Sequence, residues 1–125
     1  LLTWMHQKKV DYTNTFCYLM NEKIVEDNCY EDKDFQDWKK RWNERLKINN
    51  NSPEKYLALM KTVNPLIIPR NHKVEEALEE AEKNNLKPIV QLIKVLKDPY
   101  SRQKNILDYQ IASISDEKYQ TFCGT

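Results

Sequence analysis

SPEKYLALMKTVNPLIIPRNHKVEEALEEA, residues 52–81, sets two opposite backbone instructions side by side. Ser52 can cap a helix and Pro53 suits its first turn, where the missing N–H would have no partner anyway. Tyr56, Leu59, Met60 and Val63 then recur at helical spacing and are expected to line the inner face. Pro65 and Pro69 push Asn64 and Ile68 out of the helical region, so Asn64–His72 is predicted to be extended. Leu66, Ile67 and Ile68 are too apolar for a solvated loop and should be buried, holding the helix before them against the helix after. That second helix is expected to be capped by Asn71, with Val74, Ala77, Leu78 and Ala81 inside. Glu75, Glu76, Glu79, Glu80 and Glu82 fall outside.

The same pattern continues outward in both directions. After the connector pair, Leu86, Ile89, Val90, Ile93 and Leu96 predict another helix, and Leu92 and Val95 widen its stripe enough to imply burial on more than one side. Asp98-Pro99 stops it. Ile106, Leu107, Ile111 and Ile114 predict a segment laid over the bundle. Toward the start, Phe35, Trp38, Trp42 and Leu46 predict a helix from about Asp34 to Lys47. Asn21–Asp34 reads as a loop with a turn of helix. Before it, Tyr12, Phe16, Leu19 and Met20 follow a cap at Asp11 or Thr13, and Leu1, Leu2 and Met5 open an apolar stripe that ends before Asp11. The expected fold is all-α, a single unit over residues 1–125: a bundle of five or six helices with an extended proline-flanked connector.

Composition excludes several functions. The 125 residues carry 20 Lys and Arg against 19 Asp and Glu, so no general attraction to nucleic acid or an anionic membrane is expected. No apolar run has the length of a spanning helix. The chain holds one glycine, Gly124, and phosphate-cradling loops need residues that tolerate positive φ and close backbone approach. No Walker-type loop, dinucleotide fingerprint or nucleophile elbow can be written. Three cysteines without paired spacing argue for a reducing, cytoplasmic setting. The chain opens inside an apolar pattern without an initiator Met and is expected to be a fragment of a larger protein.

The chemical candidates are few. Cys17, Cys29, His6 and His72 lack zinc-ligand spacing, so no metal site is expected. Lys39, Lys40, Arg41 and Arg45 stand beside Trp38 and Trp42, but the tryptophans belong to the apolar face and the charges read as a solvated one. Asn50–Ser52 matches a glycosylation acceptor with little meaning in such a setting. Arg70, between a rigid connector and a helix, is a candidate contact for an anion or an ion pair with a nearby acid or with the rest of a parent protein.

DYTNTF (Asp11–Phe16), NPLIIPRNHKVEEALEEA (Asn64–Ala81), LKDPY (Leu96–Tyr100) and the terminal YQTFCGT together resemble the C-terminal region of the selenoprotein O family, whose bacterial members are called YdiU. The order and spacing match across essentially the whole chain. The resemblance implies a parent protein with a kinase-like fold that transfers AMP from ATP to Ser, Thr or Tyr hydroxyls of protein substrates, using Mg²⁺. It places the nucleotide-binding lysine, metal ligands and catalytic aspartate upstream. No residue here matches those motifs, so no catalytic, cofactor or metal residue is assigned, and no cofactor is expected in this portion itself. Its partners would be the kinase-like core of the same chain and the parent's substrates. The competing reading is an independent helical protein-interaction module without enzymatic role. A portion of a larger protein should expose an apolar patch that a self-contained module would not.

The resemblance also implies a redox-active position near the end of the chain, which falls on Cys123. The family often pairs it with a cysteine three residues earlier, but that position is Gln120 here, so the internal pairing is impossible. Cys123 is left either to form a mixed disulfide, with another molecule or with Cys17 or Cys29, or to ride as an inert passenger while Phe122 anchors the tail.

Overall fold

Short polar side chains begin three of the helices, and left-handed residues end three. In a computed structural model, residues 1–25, 28–49, 52–104 and 106–112 are described. Among them run α1 (Leu2–Gln7), α2 (Tyr12–Leu19), a 3-10 turn (Asn28–Glu31), α3 (Lys33–Ile48), α4 (Pro53–Val63), α5 (Asn71–Glu82), α6 (Lys87–Leu96) and α7 (Ile106–Gln110). No strand is present among the described residues. Asp11 caps α2 by accepting from the Asn14 N–H at 2.8 Å, and Asp32 caps α3 through the Asp34 and Phe35 N–H groups. Ser52 caps α4, with Pro53 at its first turn. The all-α expectation holds, and so do the starts of α2 and α4. The segment expected to lie over the bundle forms one further short helix, α7.

The core gathers around the first three helices. Trp4 and Met5 of α1, Cys17 and Leu19 of α2, and Tyr30 and Phe35 are buried there together. The aromatic rings pack closely: Trp4 lies 4.8 Å from Phe35, and Tyr18 stacks on Tyr30 at 4.1 Å. Trp4 also donates its Nε1–H to Asp32 Oδ1 at 2.8 Å, fixing α1 to the start of α3.

The connector enters this core as a non-helical segment with extended dihedrals at Asn64 and Arg70 and a bend at Leu66. Leu66 and Ile67 are buried in it and Ile68 is half-buried. The backbone N–H groups of Leu66 and Ile67 both donate to Pro99 O, beyond the end of α6. The connector therefore joins the α1–α2 core to the α6 end rather than clamping α4 onto α5.

Three further expectations are corrected. Leu59 and Val63 are exposed and α4 has no fully buried residue: of its expected inner face only Tyr56, against the Trp42 ring, and Met60, against the core, are half-buried. Asn71 is the first residue of α5 and not its cap; the cap position is Arg70, whose side chain has no acceptor to offer. On α5, Ala77 is buried while Leu78 is exposed. On α6 the buried residues are Leu92 and Val95, whereas Leu86, Val90 and Ile93 are exposed, so the stripe is covered on one side only.

Candidate functional site

Three helix ends meet at Arg70. Asp11 sits at the N-cap of α2, Arg70 at the N-cap of α5, and Gln110 closes α7. Arg70 Nη1 donates to Asp11 Oδ2 and Nη2 to Oδ1 at 2.9 Å, the two-pronged pairing that a planar guanidinium makes with a carboxylate. Nη2 also reaches Asn14 Oδ1 at 3.4 Å and Gln110 O at 3.3 Å. Asn14 Nδ2 donates to the same Gln110 carbonyl at 2.9 Å.

Gln110 is buried and bridges onward. Its Nε2 donates to Leu66 O at 2.9 Å and makes a long contact of 3.9 Å with Cys17 Sγ. Asp11, Asn14, Leu66, Arg70 and Gln110 thus form one network that joins α2, the connector, α5 and α7. Thr15 extends it, donating to Asp11 O at 2.8 Å and contacting the Tyr30 hydroxyl at 3.2 Å.

The electrostatics are those of a structural clasp. Burial pushes the Asp11 carboxyl up, but the Arg70 and Asn14 donors outweigh it and hold the group below the usual carboxylate value. Burial raises the Cys17 thiol to about 11, so it stays protonated at neutral pH and is no nucleophile. The Tyr30 hydroxyl is raised too, by burial first. With both terminal nitrogens of its guanidinium bonded to Asp11, Arg70 presents no open fork to an anion, and the ion pair with a nearby acid is what the geometry has.

The remaining candidates are scattered. Among the described residues no group of three or more His, Cys, Asp or Glu side chains comes together as metal ligands. Cys29 is exposed on the 3-10 turn, and His6 is exposed at the end of α1. Lys40, Arg41 and Arg45 are exposed, while Lys39 lies 4.7 Å over the Tyr18 ring. Trp38 and Trp42 are half-buried and stacked on each other at 5.7 Å. Among the described residues no helix is long and apolar enough to cross a membrane. Cys123, Phe122, Gln120 and Ile114 lie outside the described residues. A cleft of about 500 Å³ opens between α5, α6 and α7, with Lys73, Gln91 and Asp108 on its rim and Ala77 and Leu92 on its floor.

Sequence reasoning missed Gln110 and Asn14. The signal for Gln110 was present: it falls four residues after Ile106, so a polar side chain shares the apolar face of a short helix.

Comparison with known proteins supplies the context. The family described as Protein adenylyltransferase SelO matches residues 1–97. The protein nucleotidyltransferase YdiU of Pelagibacter ubique is 49% identical over 126 aligned residues, covering all of this chain and 26% of that protein. Proteins of the same name from Alcanivorax borkumensis and Nitrosococcus oceani are 42% and 40% identical over the whole chain, again covering 26% of each. The chain therefore spans about a quarter of the length of these curated relatives. With a family match across residues 1–97 of 125 and its own whole length aligned to a quarter of each relative, this chain belongs to the SelO family of protein adenylyltransferases.

Proposed function

We propose that the chain is the helical C-terminal portion of a protein adenylyltransferase, which transfers AMP from ATP to Ser, Thr or Tyr hydroxyls of protein substrates with Mg²⁺. In this reading the portion is non-catalytic and packs on a kinase-like core supplied by the rest of the protein. The reading is carried by the family match over residues 1–97 in a chain that spans only 26% of its relatives. The exposed apolar side chains of α6 favour a portion of a larger protein over a self-contained interaction module. Cysteines without paired spacing favour a cytoplasmic setting.

The Arg70 clasp serves this role by holding α2, α5 and α7 in one register. Calorimetry of this segment with Mg·ATP should give no binding heat, and a dissociation constant in the micromolar range would place the nucleotide site here and overturn the reading. The full-length protein, given ATP labelled at the α-phosphate, should attach label to protein hydroxyls; label in the γ-position only would make it a kinase instead.

A further inference from the structure

Leu86, Val90 and Ile93 follow one another at i, i+4 and i+7 and so share one face of α6. They are 59%, 60% and 51% exposed, while the opposite face buries Leu92 and Val95. A helix apolar on both sides has a second surface that its own bundle does not cover.

Charge narrows what covers it. α6 carries no carboxylate, and Lys87, Lys94 and Lys97 border the exposed stripe. Among the described residues none of these three lysines makes an ion pair, although α5, packed against α6, carries five glutamates. Two of those glutamates are paired away from it: Glu76 with Lys73 and Glu80 with Lys83, both within or at the end of α5 itself. Among the described residues the α6 surface is thus an apolar stripe whose basic rim has no acidic partner. α4 offers less, since its exposed apolar pair is Leu59 and Val63 alone and its Lys61 is already tied to Glu22 at 2.9 Å.

We infer that the Leu86–Val90–Ile93 face of α6 is the docking surface for the remaining three-quarters of the full-length protein, which meets it with an apolar patch bordered by carboxylates. The occupant is chosen by the length of its relatives, nearly four times what the chain spans, and by the one sign of charge on the rim. The inference rests on the reading above that this chain is one portion of a longer protein.

Lysine footprinting of the native full-length protein tests it without any substitution. Acetylation read by mass spectrometry should be several-fold slower at Lys94 and Lys97 than in the same protein unfolded in urea. Equal rates in the two states would overturn the inference. A second arm uses Val90→Ala with Ile93→Ala in the full-length protein. Alanine is the better helix former, so on a solvated face the change would leave the melting temperature level or raise it. On a covered face it should lower that temperature by about 3 °C or more. Light scattering separates the remaining case: a dimer that the double variant dissolves would assign the face to a second copy and refute the inference. Failure of the parent protein to transfer AMP would count against the adenylyltransferase reading and leave the docking result standing.

Discussion

Arg70 occupies a position that works against it. The N-terminus of a helix carries partial positive charge and disfavours a cation, yet Arg70 stands at the N-cap of α5. Asp11 resolves this by answering two positive ends at once: it accepts from the Asn14 N–H at the start of α2 and from both terminal nitrogens of Arg70. Arg70→Met would leave a partly buried carboxylate without its partner and should cost about 3 kcal/mol. The pH dependence should change as well. Because the Asp11 carboxyl is held below its ordinary value in the folded chain, its stabilisation is fully present above about pH 4 and is lost as pH falls through the folded value. In Arg70→Met, burial opposes ionisation with only the α2 cap against it, so acidification should cost the variant less than the parent, or nothing. Urea midpoints at about pH 3 and about pH 7 measure this, and parallel losses in the two proteins would exclude the clasp as the origin. Asp11 was legible in the sequence as one of two candidate caps, and Arg70 as a candidate contact for an anion or an ion pair. Their pairing across 59 positions was not, because no local rule of spacing reaches that far.

Among the helices, the shortage of glycine has a visible outcome. Lys9, Asn21 and Asn84 all adopt positive φ, and each follows directly on a helix end. At all three the same pair of bonds closes the turn: Val10 N–H to Met5 O with Lys9 N–H to His6 O, Glu22 to Cys17 with Asn21 to Tyr18, and Asn85 to Glu80 with Asn84 to Ala81. These are Schellman caps built without glycine. Asn84→Gly should therefore stabilise the chain by about 0.5 kcal/mol, and Asn84→Val should destabilise it by about 1 kcal/mol. Thermal melts of the two variants would show it, and a loss with glycine would mean that the Asn84 side chain matters more than its backbone. The connector gives a larger effect. Ile67→Asp would bury an unpaired charge and should cost about 4 kcal/mol or more, with Ile68→Asp costing less because Ile68 is only half-buried. Equal melting of both variants with the parent would place the connector outside the core. The prolines made its non-helical course readable. Periodicity also located α4 and α6, but it reports that a helix has an apolar side and not which neighbour covers it, which is why the faces of α4 and α6 came out differently from expectation.

In the whole molecule the core is assembled from distant parts. The aromatic cluster comes from residues 4–35, the connector supplies Leu66 and Ile67, and α6 and α7 add Val95 and Ile106. Composition and cap signals were enough for the all-α class and for the starts of α2 and α4, since those are set by neighbours in sequence. The network at Gln110 was not readable, since it depends on where separate helices come to rest. That network also fixes an order of events during synthesis. Asn14 leaves the ribosome 96 residues ahead of the Gln110 carbonyl it will bond, and the Leu66 carbonyl 44 residues ahead of the Gln110 amide. Until residue 110 emerges, those groups lack the partner they have in the fold, however well α2 and the connector have formed. A nascent chain stalled before α7 therefore stays unlatched, because the Gln110 groups that tie α2 to the connector have yet to appear.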